Sequence, residues 1–293
     1  MQSIKQYSVA KISHSNVLGA TPERIECCDV VVTEEPLEIW LSSHPKATPE
    51  LLFTTMRTPG DDLNLVKGWL YSSGAINDIT MLVSIHHTGA GRLKSQSTNR
   101  VQVNLAAGAN IDSAAYQRVE VMNSACGVCG QQSIENILDK LPQALSTFTP
   151  AFLPISAIQS LTQQLRDNQV IFGQTGGVHG VALFDQRLEV LDVREDVGRH
   201  NAFDKLIGAN MCMLAVDNDE NETTLGVVLS SRASFELVQK AAMVNIRYII
   251  AMGAPSSLAI DLAKDCDMCL IGFVKSIQSS IEFNIYSNPH MLV

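Results

Sequence analysis

Residues 225–257, LGVVLSSRASFELVQKAAMVNIRYIIAMGAPSS, decide the fold. The stretch opens on an apolar run (225–230) that ends in Ser231, Arg232 and Ser234. It continues through an amphipathic run (235–244) and enters a second apolar run (246–252), stopped by Gly253 and Pro255. Short Val- and Ile-rich runs bounded by small polar residues predict buried strands, and the helical periodicity between them predicts a helix. The same alternation extends outward: strands at 178–184 and 188–193 with a helix at 202–209 before it, a helix at 257–264 and a strand at 268–274 after it. Helices packed on a largely parallel sheet, an α/β layer structure, are the expected result. Asn201, with Asp204 three residues on, reads as a capping pair at the start of the helix at 202–209.

Upstream the pattern differs. Strand-like runs fall at 30–32, 37–41, 51–56 and 100–105, the last strictly alternating as Arg-Val-Gln-Val-Asn-Leu. One helix interrupts them, with Asp61 and Asp62 at its start, Leu63, Val66 and Leu70 on its apolar face, and Gly74 at its end. Residues 106–125 lose periodicity and read as a loop, followed by a helix near 131–140 and a linker carrying Pro142, Pro150 and Pro154. The expected organisation is a flexible N-terminal segment (1–22), a small α+β domain (23–150) with a cysteine loop near its end, and an α/β domain (151–293).

Composition narrows the functional classes. A net charge of -9 with no Lys/Arg cluster opposes nucleic-acid binding. No stretch approaches the roughly 20 apolar residues of a membrane span, and residues 1–16 lack the apolar run of a secretory signal. A cytoplasmic protein is expected, and seven cysteines fit chemically employed thiols in a reducing compartment better than a disulfide framework.

The densest chemistry is Ser124-Ala125-Cys126-Gly127-Val128-Cys129-Gly130. Two thiols three positions apart, flanked by glycine and followed by a predicted helix, favour the nucleophilic thiolate. Such a pair exchanges disulfides, ligates zinc, or accepts sulfane sulfur from a persulfide donor. Its mid-chain place after an irregular segment is unlike a thioredoxin motif. Cys266 and Cys269 supply a second Cys-x-x-Cys for zinc, but at a separation far beyond the usual spacing; they read as buried apolar residues, as do Cys27, Cys28 and Cys212. A zinc-dependent deaminase is opposed on two counts: Ala125, not proline, precedes Cys126, and neither His179, His200 nor any other histidine has Glu two positions later.

A second chemistry gathers where strands end and helices begin: Gly198-Arg199-His200, Ser230-Ser231-Arg232 with Ser234, and Gly253 to Ser257. Strand carboxyl ends facing helix N-termini bind phosphates through free backbone N–H groups. Arg194, Arg199 and Arg232 are suited to phosphate, and His179 and His200 are candidates for ligand contact or proton handling. The serines serve equally as helix caps.

Thr58-Pro59-Gly60-Asp61-Asp62, residues 124–130, residues 175–179, Glu195-Asp196-Val197-Gly198-Arg199-His200-Asn201-Ala202-Phe203-Asp204-Lys205 and Ser231-Arg232-Ala233-Ser234-Phe235-Glu236 together resemble the formate dehydrogenase accessory sulfurtransferases, the FdhD family, over nearly the whole chain. The resemblance implies a homodimer with a cytidine-deaminase-like α/β core without zinc. It implies a sulfur carrier that takes sulfur from a cysteine desulfurase on Cys126, assisted by Cys129. That sulfur goes to the bis-molybdopterin guanine dinucleotide molybdenum cofactor, for a formate dehydrogenase apoenzyme. The family's cofactor-contacting segment maps to Phe273, Val274, Lys275, Ser276, Ile277 and Gln278. Here the sequence departs: the family commonly has Gly-Phe, two or three residues, then Gly-Arg, whereas this chain runs on through Ser276-Ile277-Gln278-Ser279-Ser280 without that Gly-Arg. An altered cofactor preference is one consequence to test. A zinc-stapled binding module and a non-catalytic cofactor chaperone are the competing classes.

Overall fold

The computed structural model describes residues 3–14, 21–42, 48–89, 99–106, 152–214, 224–277 and 280–293. The cysteine loop, the helix expected at 131–140 and the linker prolines Pro142 and Pro150 lie outside the described residues.

Strands β1 (Ile4–Ser13) and β2 (Glu23–Val32) form an antiparallel ribbon, in register from Ile4 opposite Val32 to Ser13 opposite Glu23. Residues 4–13, expected within a flexible segment, are therefore a strand. Its apolar residues are too sparse among Lys and Ser to announce it locally, and the ordering comes from a partner about twenty residues away.

Strands β3 (Glu35–Ser42), β4 (Glu50–Arg57), β5 (Leu82–His87) and β6 (Arg100–Leu105) make a four-stranded sheet in the order β4-β3-β6-β5. The alternation read in β6 is realised: Val101, Val103 and Leu105 are fully buried, while the residues between them are not. Helix α1 (Asp62–Ser72) adds Leu65, Val66, Trp69 and Leu70 to this core.

The second half is built on six strands, β7 (His179–Asp185), β8 (Val190–Asp196), β9 (Thr224–Leu229), β10 (Tyr248–Ala251), β11 (Cys269–Ile277) and β12 (Ser280–Ser287), in the order β12-β11-β10-β9-β7-β8. Parallel pairing is confined to β9–β10 and β10–β11; β7 and β12 run against the other four strands. The sheet is thus mixed rather than largely parallel. The reason is connection length: four residues separate β7 from β8 and two separate β11 from β12, too few for the crossover that a parallel pair needs.

Successive residues of these strands enter opposite cores. Val181, Leu183, Val227, Leu229, Ile249, Ala251 and Leu270 pack with helices α4 (Arg199–Ala209), α6 (Phe235–Met243) and α7 (Ser257–Asp265). Ala182, Phe184, Val228, Tyr248, Ile250, Cys269 and Ile271 pack with α2 (Ala157–Asn168) on the other face. The sequence reading did not anticipate α2, although its buried Ile158, Leu161 and Leu165 carry helical spacing. The short helices α3 (Val170–Thr175) and α5 (Met211–Leu214) complete the described set.

The two halves meet where α1 crosses α4. A Cβ on Gly68 would stand 1.9 Å from the Asp204 carbonyl oxygen, and one on Gly208 would stand 1.9 Å from that of Asn64. Both glycines are required because the backbones touch. Around this crossing lies a buried polar joint. Lys205 Nζ is 2.7 Å from Asp196 Oδ2 and donates to the Thr58 carbonyl at 2.9 Å. The Thr58 N–H donates to Asp196, and Thr58 Oγ1 accepts from Val197 N–H. Asn201 Nδ2 donates to the Met56 carbonyl, and Asp204 pairs with Lys240 beside Ser72. The expected Asn201–Asp204 capping pair does not form: the helix starts at Arg199 with Gly198 as its cap, and both side chains are drawn into the joint. Arg57 and Asp62 close the neighbouring corner with two hydrogen bonds of 2.9 Å.

Candidate functional site

Because β8, β9, β10 and β11 run the same way, their carboxyl ends share one edge of the sheet, and α4, α6 and α7 begin there. The antiparallel β7 brings its first residue, His179, to the same edge. Gly180 N–H donates to Ser230 Oγ at 2.8 Å and Ser230 N–H returns a bond to the Gly180 carbonyl at 3.0 Å, so His179 stands beside the turn that carries Ser231 and Arg232. That turn is pressed against the end of β10: Gly253 N–H donates to the Ser231 carbonyl at 3.1 Å, and a Cβ on Gly253 would meet the Arg232 backbone at 2.9 Å. The next strand is tied in by Phe273 N–H, which donates to the Gly253 carbonyl.

Charge follows from this placement. Burial holds the His179 imidazole below its ordinary range, and the positive charges of Arg199, His200 and Arg232 push the same way. Guanidinium groups beside this imidazole make the edge cationic, a surface suited to an anion. His200, in the first turn of α4, sits with Nε2 2.7 Å from Glu236 Oε2 and 3.2 Å from Ser234 Oγ, in a nearly buried position. Glu236 was not anticipated as a site residue. The signal was available only in hindsight, as a carboxylate in the first turn of a helix whose start faces the same edge.

The structure brings together His179, Arg199, His200, Ser231 and Arg232, with Phe273 and Lys275 farther along the edge. Arg232 is exposed, and Ser231 is buried with its hydroxyl donating to the Arg232 carbonyl. Arg194 departs from expectation: its guanidinium is engaged by Asp61 Oδ2 at 2.7 Å and Asp192 Oδ2 at 2.9 Å, so it ties the halves together. Ser256 is a helix cap, its hydroxyl accepting from Ala259 N–H. Val274 turns its side chain into the core, and Ser276 and Ile277 lie on the end of β11, paired with Ile281 and Ser280. Cys126, Cys129 and Gln278 lie outside the described residues.

Cys266 and Cys269 are not arranged as a chelate. Cys269 is fully buried in the core beneath α2, where burial pushes its thiol up to about 12, while Cys266 packs against the core on the opposite face. Metal ligation needs thiolates converging on one ion about 2.3 Å from each sulfur.

Residues 32–293 match the model of the FdhD/NarQ family. The chain is 38% identical over 266 residues to the sulfur carrier protein FdhD of Streptomyces avermitilis, covering 90% of this chain and 89% of that one. It is 43% identical over 252 residues to the protein of that name in Corynebacterium efficiens, covering 84% and 86%. The fold is shared with a solved structure described as a formate dehydrogenase accessory protein of Desulfotalea psychrophila, at a TM-score of 0.63 and 22% identity over 98% of this chain and 99% of that one.

Proposed function

The chain belongs to the FdhD/NarQ family, and on that premise we propose that it is a sulfur carrier working through a persulfide on Cys126. The donor is a cysteine desulfurase. Cys126 thiolate attacks the terminal sulfur of the donor's persulfide; a new sulfur–sulfur bond forms on Cys126, the donor's bond breaks, and the donor leaves as a thiolate. Cys129 then assists release of that sulfur to the acceptor. The acceptor in this reading is the bis-molybdopterin guanine dinucleotide molybdenum cofactor, bound as substrate before its insertion into a formate dehydrogenase apoenzyme.

This chain's described residues supply the holding part of the reaction. Arg199 and Arg232 offer planar donors to the nucleotide phosphates, backbone N–H groups at the starts of α4 and α6 face the same anion, and His179 gains a proton when negative charge arrives. Glu236 orients His200 from below. The hairpin β7–β8 beside the parallel strands β9 to β11 supports reading this layer as a deaminase-like core turned from base chemistry to cofactor binding. A cytoplasmic homodimer completes the proposal; no helix among the described residues is long and apolar enough to cross a membrane.

The observation that carries the reading is the gathering of His179, Arg199, His200 and Arg232 at one sheet edge, in a chain whose relatives are named sulfur carriers. Intact-mass measurement after incubation with a cysteine desulfurase and cysteine tests it. One added sulfur atom is expected on the wild-type chain and none on Cys126→Ala; a wild-type chain that never gains it overturns the carrier role. If formate dehydrogenase maturation survives Cys126→Ala, the chain is a cofactor chaperone instead.

A further inference from the structure

His179 is carried to the cationic edge by a segment that little apolar packing supports. Helix α3 buries none of its residues, and Val170 and Phe172 are 65% and 46% exposed. The space around Gly173 and Gly176 is open, and Gly176 turns the chain at φ 63°. At six residues α3 is well below the roughly 12–15 at which an isolated helix is even marginal in water.

The support is polar and comes from β8. Glu195 stands directly opposite Gly180 in the β7–β8 pairing. Its Oε2 accepts from Ile171 N–H at 2.8 Å and its Oε1 from Phe172 N–H at 2.9 Å. Both carboxylate oxygens are thus taken up by first-turn amides that a helix leaves unpaired, and the negative charge sits at the positive end of the helix dipole. Gln169, 4% exposed, joins α2 to α3 and lies over Gly180, where a Cβ would stand 2.6 Å from its Nε2. At the far end of α3, Thr175 Oγ1 accepts from Gly177 N–H, and a Cβ on Gly177 would meet the Val32 side chain of β2 at 2.9 Å. His179 follows two residues later. Successive residues of a strand point to opposite faces, so Glu195 and Gln169 act from the α3 face while the His179 imidazole faces Arg199, His200 and Arg232.

We propose that Glu195 is a positioning residue for the anion site: by capturing the start of α3 it fixes the segment 170–179 and holds His179 against Arg199 and Arg232. Its effect on binding rests on the reading of this edge as the holder of nucleotide phosphates; its effect on the placement of His179 does not.

Two readouts on the full chain, in wild type, Glu195→Ala and Glu195→Gln, test it. The first is the titration of His179 by NMR of labelled histidine, its signal assigned by its loss in His179→Asn. Burial and the neighbouring cations hold this imidazole below 6.5 in the wild type. Loosening the segment weakens both causes, so Glu195→Ala is expected to raise the value toward 6.5, and Glu195→Gln, which keeps one acceptor oxygen, to raise it less. Loss of a negative charge acting only at a distance has the opposite sign: it lowers the value further, and equally in both variants. An unchanged or lowered value overturns the proposal, even beside a lower melting temperature. Should Glu195→Ala not fold, the same signs are read from Glu195→Gln. The second readout is calorimetric titration with GDP, whose affinity is expected to fall about tenfold in Glu195→Ala and less in Glu195→Gln; an affinity unchanged in both overturns the role in anion binding. A wild type that binds no GDP, beside a raised His179 value in the variants, defeats the phosphate reading of the edge and leaves the positioning of His179 standing.

Discussion

Asp196 and Arg199 stand three residues apart in one sequence block and do opposite work. Asp196 is fully buried, its carboxylate engaged by Lys205, Asn201 and the N–H groups of Thr58 and Gly198. Arg199, beyond the turn, is half-buried at the sheet edge and sends its charge toward His179. The joint is a set of charges matched to each other; at the edge the positive charges of Arg199 and Arg232 bear on the His179 imidazole, and His200 pairs with Glu236. One sequence block therefore serves two places, the joint that holds the halves together and the sheet edge where we propose that a ligand binds, and substitutions should separate them.

The sharpest separation comes from removing the anion of the joint. Asp196→Ala leaves the Lys205 ammonium, 4% exposed, without its carboxylate, and about 3–5 kcal/mol of stability should be lost. Urea unfolding measures this; a loss under about 1 kcal/mol would show that the joint is not the element that binds the halves. Gly68→Ala should cost roughly 1–3 kcal/mol or more by forcing α1 away from α4, visible as a lower melting temperature. Tolerance of that methyl group would mean that the helices do not cross as closely as described.

At the edge the pattern reverses. Arg232→Ala should weaken GDP binding about tenfold while the melting temperature stays within a degree or so of wild type, since the side chain is exposed. A large stability loss there would erase the contrast between the regions. The smallest effect is in pH dependence. His179 titrates below its ordinary value of 6.5 in the folded chain. As pH falls below about 6.5 the unfolded chain takes up a proton that the folded chain refuses, so stability declines down to the folded value and then levels off. Urea midpoints across this range should show the decline in wild type and lose it in His179→Asn. In the presence of GDP the decline should shrink, because a bound anion restores the proton's favour.

Much of this was legible in the chain. The alternation of residues 100–105 placed β6, and the apolar runs within 225–257 placed β9, α6 and β10, because burial on one or both faces imposes a period that the residues must obey. The clustering of Arg199, His200, Ser231 and Arg232 at strand ends also followed from order along the chain. Other features were hidden. Helix α2 carries Ser, Gln and Asp among few apolar residues, and β1 is ordered by a distant partner. The role of Arg194 depends on Asp61, which lies 133 positions away.

The sequence by itself determined the alternation of strands and helices over residues 225–274 and the family, since these rest on local periodicity and contiguous motifs. Tertiary structure alone decided which strands run antiparallel, that Asp196, Asn201 and Asp204 serve a buried joint, and that Glu236 stands beside His200. Those outcomes depend on contacts between residues far apart in the chain, where burial turns small differences in position into large differences in electrostatic environment.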